Sequence, residues 1–248
     1  MLWLAGLFGV VALVYASVGF GGGSTYTALL ALWGVDYRLI PVIALFCNII
    51  VVTGGSIRFV RAGLVSWPQV LPLLLISAPL AFAGGLVPLK QVVFLTILGG
   101  ALLASSVALF MQADKMAPRN VSKPMLLVIS GGVGLLAGLS GIGGGIFMAP
   151  VLHLIRWAEA RRIAAFASLY ILINSAAGLF GQIIKSGAHA LAEPAMQYGL
   201  LLGAVLVGGQ LGSLFGMRYL SPRLLRTVTA LLVGYAALRL LWQAYGSA

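Results

Sequence analysis

The chain has 248 residues, of which 61% are hydrophobic and only 8% charged, with a mean hydropathy of +1.10. A soluble domain carries about 25% charged residues, so this composition excludes a water-facing surface and leaves a membrane protein. Fifteen Lys and Arg stand against four acidic residues, Asp36, Asp114, Glu159 and Glu193. The basic residues lie in short gaps between apolar runs, as membrane-flanking loops do, so no nucleic-acid partner is expected.

The N-terminal Met1-Leu-Trp-Leu-Ala-Gly lacks the basic region of a secretory signal and reads as the start of a retained helix. A helix needs about 20 apolar residues to cross the hydrocarbon layer. Segments 2–34, 39–57, 67–87 and 91–111 come first, then the polar stretch Gln112–Lys123, then segments 124–155, 163–184, 195–217 and 224–243. The predicted organisation is an N-terminal unit, 1–113, a linker, 114–123, and a C-terminal unit, 124–248.

Segments 2–34 and 124–155 are longer than one crossing needs, and glycines cut each near its middle. The first cut reads Ser17-Val-Gly-Phe-Gly-Gly-Gly-Ser24 and the second Leu139-Ser-Gly-Ile-Gly-Gly-Gly-Ile146. Downstream, residues 44–63 align with 168–187: Leu45 meets Leu169, Phe46 meets Tyr170, Ile49 meets Ile173, Gly54 meets Gly178 and Gly63 meets Gly187. The chain is therefore an internal repeat, and interrupted segments at matching places point to a transporter's binding site.

Loop charge decides how the long segments run. If both cross, the two sides hold eight and seven basic residues; if both enter and return, eleven and four. Only the second arrangement obeys the positive-inside rule. The expected fold is thus an all-α integral membrane protein of two inverted repeats, each a glycine-tipped helical hairpin plus three transmembrane helices. The alternative is eight crossing helices, two of them broken.

A bare-backbone turn at membrane depth must line protein or a cavity. Each tip also starts a new helix, whose first N–H groups lack internal partners and carry a positive partial charge, a ready anion site. The tips Gly21–Thr25 and Gly143–Phe147 are expected to face one another near the midplane. Candidate substrate-binding residues are Gly21, Gly22, Gly23, Ser24, Thr25, Asn48, Ser140, Gly143, Gly144, Gly145, Tyr170 and Asn174. Other polar residues on the same helices are Ser17, Thr53, Ser56, Ser168, Ser175 and Gln182. Asn48 and Asn174 sit two positions apart in the repeat alignment, so the pseudo-symmetry is imperfect. Gly84-Gly85, Gly99-Gly100 and Gly208-Gly209-Gln-Leu-Gly212 read as close helix packing.

No Asp or Glu lies in an apolar segment, which argues against a carboxylate ion relay. His153 is the candidate proton relay. Cys47 is the only cysteine, so an intramolecular disulfide or a Cys-based metal cluster is excluded; neither metal nor cofactor is expected.

The paired GFGGG (19–23) and GIGGG (141–145) motifs, with the endings RAG (61–63) and KSG (185–187), resemble the sulfite exporter TauE/SafE family along nearly the whole chain. The resemblance implies a multi-pass transporter of the bacterial inner membrane. It would move sulfite, an organosulfonate such as sulfoacetate, or a related carboxylate, with the glycine tips as substrate site. One departure is that Ser24-Thr25-Tyr26-Thr27 follows the first tip, whereas Ile146-Phe147-Met148-Ala149-Pro150 follows the second. The first half would then supply more of the hydrogen bonding.

Two other functions fit parts of the pattern. A passive anion channel could use the same tips. An intramembrane serine protease is suggested by Gly138-Leu-Ser140-Gly141, but it needs a later histidine base. His153 is too near in sequence and His189 lies in a loop, so no enzymatic activity is expected.

Overall fold

The computed structural model describes residues 1–17, 19–111, 122–155, 157–186, 189–215 and 222–245, so nearly all of the expected linker at 114–123, and Gly187, lie outside it. The described residues form helices α1 (Leu2–Ser17), α2 (Gly23–Leu32), α3 (Leu39–Arg61), α4 (Trp67–Leu86), α5 (Gln91–Met111), α6 (Lys123–Ser140), α7 (Gly145–Leu154), α8 (Ala160–Ser186), α9 (His189–Phe215) and α10 (Pro222–Tyr245). Both long apolar segments are indeed broken at their glycines. Among the described residues, α3, α4, α6 and α8 are long and apolar enough to cross a membrane.

The burial pattern inverts that of a soluble protein. Trp3 is 85% exposed and Val128 75%, whereas Asn48, Ser77, Ser130, Ser168 and Asn174 are fully buried. Lipid accepts an apolar exterior but cannot hydrogen-bond a hydroxyl or amide, so the polar groups turn inward. The protein is an all-α integral membrane protein.

Glycines let the helices meet backbone to backbone. Gly208 of α9 rests on the Gly9 carbonyl and Gly212 on the Leu13 carbonyl, so α1 and α9 run parallel. Gly134 and Gly138 of α6 rest on the carbonyls of Ser77 and Ala81, so α4 and α6 are parallel too. The Gly84-Gly85 pair meets Leu135 and Gly178 in the same way. Such contacts tolerate no side chain, and they are the physical reason for these glycines.

Every major pairing has a counterpart when the halves are exchanged. The contact of α1 on α9 is mirrored by α6 on α4, α2 on α10 by α7 on α5, and α3 on α9 by α8 on α4, while α3 meets α8 and α5 meets α10. These last pairs are antiparallel. Ser56 bonds Ser168 at 2.8 Å whereas Leu45 lies against Gly178; Ser106 donates to the Ala230 carbonyl at 2.8 Å whereas Thr96 meets Tyr245 at 3.0 Å.

The arms reverse direction within each long segment. The rings of Phe8 and Tyr26 stack at 4.7 Å while Gly22 lies against Val11, so α2 returns alongside α1. Gly144 likewise lies against Val133 and Ala137 of α6. The breaks lie at different levels along α3. Gly19 reaches Phe59 near the end of α3, and Gly141 reaches Pro41 near its start. The first arms therefore run past the middle of α3, and the chain falls back before α2 and α7 begin. We call the end at which α3 starts face A and the end at which it finishes face B.

Candidate substrate site between two glycine tips

Helices α2 and α7 start on left-handed glycines, Gly22 (φ 82) and Gly144 (φ 79), without a side-chain cap. A residue with a Cβ is strained there, and glycine is not. The N–H groups of Thr25 and Tyr26 bond the Gly22 carbonyl, and those of Phe147 and Met148 bond the Gly144 carbonyl. The first N–H groups of each helix, at Gly23, Ser24, Gly145 and Ile146, precede the first bonded turn. Two positively polarised helix starts thus lie in the interior.

Asn48, in the middle of α3, joins the tips. Its Nδ2 donates to the Ile142 carbonyl of the second tip at 3.2 Å. A Cβ on Gly21 of the first tip would stand 2.5 Å from Asn48 Oδ1, and one on Gly143 would stand 2.6 Å from Nδ2 and 2.9 Å from Ser175 Oγ. A Cβ on Gly23 would strike the Ile142 carbonyl. Gly145 presses on Ile171, which also flanks Gly21 and Gly143. The helix starts therefore meet head to head, with α2 leaving toward face A and α7 toward face B.

Four fully buried residues here and beside the tips carry a side-chain atom with no hydrogen-bond partner in the structure: Tyr26 Oη, Asn48 Oδ1, Asn174 Oδ1 and Ser175 Oγ. Burying such a group unpaired costs about 1–3 kcal/mol.

The other expected residues divide. Gly21, Gly22, Gly23, Gly143, Gly144, Gly145 and Asn48 come together at the tips. Ser24 and Thr25 are buried in the first turn of α2, but the Thr25 hydroxyl is shared with Tyr15 at 2.9 Å, clasping the hairpin. The Tyr170 ring walls Gly144, yet its hydroxyl donates to the Ser130 carbonyl at 2.6 Å. Asn174 donates to the Tyr170 carbonyl of its own helix at 2.8 Å. The Ser140 hydroxyl donates to the Leu136 carbonyl at 2.6 Å. His153 sits in the last turn of α7, about 12 Å along the helix from Gly145. Ser175, Tyr26 and Ile171 belong to the site although the sequence did not rank them there. The signal for Ser175 was its four-residue spacing from Ile171 on one face of α8.

Comparison with known proteins agrees with this architecture. The family model described as "Sulfite exporter TauE/SafE" matches residues 3–240. The chain is 35% identical over 245 residues to "Probable membrane transporter protein y4hK" of Sinorhizobium fredii (strain NBRC 101917 / NGR234), covering 96% of this chain and 97% of the relative. It is 29% identical over 108 residues to a "Probable membrane transporter protein" of Haemophilus influenzae (strain ATCC 51907 / DSM 11121 / KW20 / Rd), covering 41% and 40%. No solved structure matches it. With a full-length family match and a relative aligned end to end, the chain belongs to the sulfite exporter TauE/SafE family of membrane transporters.

Proposed function

We propose that the chain exports a small anion (sulfite, an organosulfonate such as sulfoacetate, or a related carboxylate) across the bacterial inner membrane by alternating access. The observation that carries the reading is the head-to-head meeting of two uncapped helix starts around Asn48. Its donors are the free N–H groups of Gly23, Ser24, Gly145 and Ile146, the second Nδ2 hydrogen of Asn48 and the Ser175 hydroxyl. They suit an oxyanion, and no carboxylate lies in α2, α3, α7 or α8 to repel it.

Counterpart helices of 1–113 and 124–248 run antiparallel, which supports inverted repeats about an axis in the membrane plane. The six helices α3, α4, α5, α8, α9 and α10 then cross, and α1–α2 and α6–α7 enter from opposite faces. Face B carries eleven of the basic residues by sequence position and face A four, so face B is cytoplasmic in this reading. His153, on the arm leading to face B, is the titratable group along that route.

The test is counterflow in proteoliposomes, with sulfite, sulfonates and lactate in competition, with and without a pH gradient. Saturable flux accelerated by anion on the opposite side is expected. Flux that rises linearly with concentration and shows no counterflow would replace alternating access with a passive channel. Gly22→Leu and Gly144→Leu should each abolish flux while the protein still inserts.

A further inference from the structure

Face A holds a cavity of about 280 Å³ lined by Arg38, Lys185, Pro41, Leu89, Phe94 and Leu139, with Tyr37 and Gln182 beside them. Its two ends differ chemically. Arg38 and Lys185 stand exposed at the mouth, while Phe94 and Gln182 are buried. Arg38 Nε donates to the Tyr37 hydroxyl at 3.2 Å, and its guanidinium lies 5.5 Å from that ring's centroid. Lys185 Nζ makes a long contact, 3.4 Å, to the Val87 carbonyl. The nearby carboxylate, Asp36, accepts the backbone N–H of Arg38 at 2.9 Å. Among the described side chains, two cations stand against one carboxylate, which leaves the mouth with spare donors.

The cavity also points toward the tips. Pro41 touches Gly141, and Leu139 ends the α6 arm that leads into the second tip. Along α3, Pro41 stands about 10 Å from Asn48. The start of α7 directs its N–H groups toward this face. The repeat alignment carries Gln182, Lys185 and Arg38 onto Arg58, Arg61 and Arg162, so the equivalent place at face B is cationic as well.

We propose that this cavity is a second anion site, a docking vestibule that receives a singly charged organic oxyanion carrying a short apolar chain. Arg38 and Lys185 hold the oxygens, and Pro41, Leu89, Phe94 and Leu139 cover the carbon chain. An inorganic anion meets only the mouth and leaves the apolar wall unused. The vestibule extends the transport reading above, but its test needs binding alone.

The experiment is thermal unfolding of the detergent-purified full chain, titrated with sodium butanesulfonate, with sodium sulfate at matched ionic strength, and with dihexanoyl phosphatidylglycerol. Butanesulfonate should raise the midpoint of the wild type more than sulfate does. The pair Arg38→Gln with Lys185→Gln should weaken its apparent affinity by about tenfold or more, the loss of a charge-assisted contact. The charge-keeping pair Arg38→Lys with Lys185→Arg should restore most of it, which separates charge from any folding defect. Asn48→Leu should keep butanesulfonate binding even if flux is lost, so failure of the midplane site and failure of the vestibule are distinguishable. Equal responses to sulfate and butanesulfonate, responses indifferent to Arg38 and Lys185, or a charge-dependent response to the lipid alone would each overturn the assignment.

Discussion

Asn48 holds two chain segments with one amide. Its Nδ2 reaches the Ile142 carbonyl, and its Oδ1 is turned toward Gly21 without a hydrogen-bond partner in the structure. Asn48→Leu keeps the number of side-chain heavy atoms but leaves a buried carbonyl without its donor, at a cost of about 1–3 kcal/mol. The variant is expected to melt at lower temperature than the wild type and to lose most counterflow. Wild-type values for both would remove Asn48 from the site. An asparagine inside an apolar run stands out in a sequence, and so Asn48 was legible. Ser175 was not. Membrane serines and threonines commonly bond the carbonyl four residues back, as Thr53, Ser105 and Ser140 do here. Only the neighbouring helices show that Ser175 does otherwise. The repeat alignment places Leu172 opposite Asn48, so one half alone supplies this bridge.

At the level of elements, helix limits were readable because charges and glycines mark them. Helix α5 spans 91–111 as expected, and both glycine motifs end one helix and cap the next. Helices α3 and α8 run past their apolar segments to include Arg58 with Arg61 and Arg161 with Arg162; Arg61, Arg161 and Arg162 are exposed, whereas Arg58 is half-buried and donates to the Ser213 hydroxyl of α9. Arm depth was not readable, since apolar length says how far a helix can go and tertiary contacts say where it stops. Helix α6 is held against α4 at Gly138, where a Cβ would meet the Ala81 carbonyl, and it ends on left-handed Gly141. Gly138→Leu should force the helices apart and cost about 1–3 kcal/mol or more, lowering the unfolding midpoint in detergent. Gly132→Leu, on the same helix with open space around it, should leave the midpoint unchanged. A similar midpoint for both variants would contradict the close α4–α6 contact.

For the molecule as a whole, the duplicated glycine motif that breaks both long segments was legible in the sequence, while the packing of each first arm on a distant helix was not. No local signal says that α1 will pack on α9 rather than on its own neighbours. The proposed orientation is testable by labelling. Cys47 is fully buried and is replaced by Ala to silence it. In that background Arg61→Cys should react with a membrane-impermeant maleimide only in inside-out vesicles, and Lys90→Cys only in right-side-out cells. Labelling of both from one side would refute the arrangement of six crossings and two returning arms.

The exchange of partners between halves has one more consequence. Each first arm is seated on the fourth helix of the opposite half, α1 on α9 and α6 on α4. A half-length polypeptide inserted in both orientations would find in a second copy of itself every major neighbour it has here. Joining two such copies by a polar tether alters connectivity and none of those contacts. Covalent fusion would then free each copy to vary separately, so that a bridge such as Asn48 need have no match at Leu172.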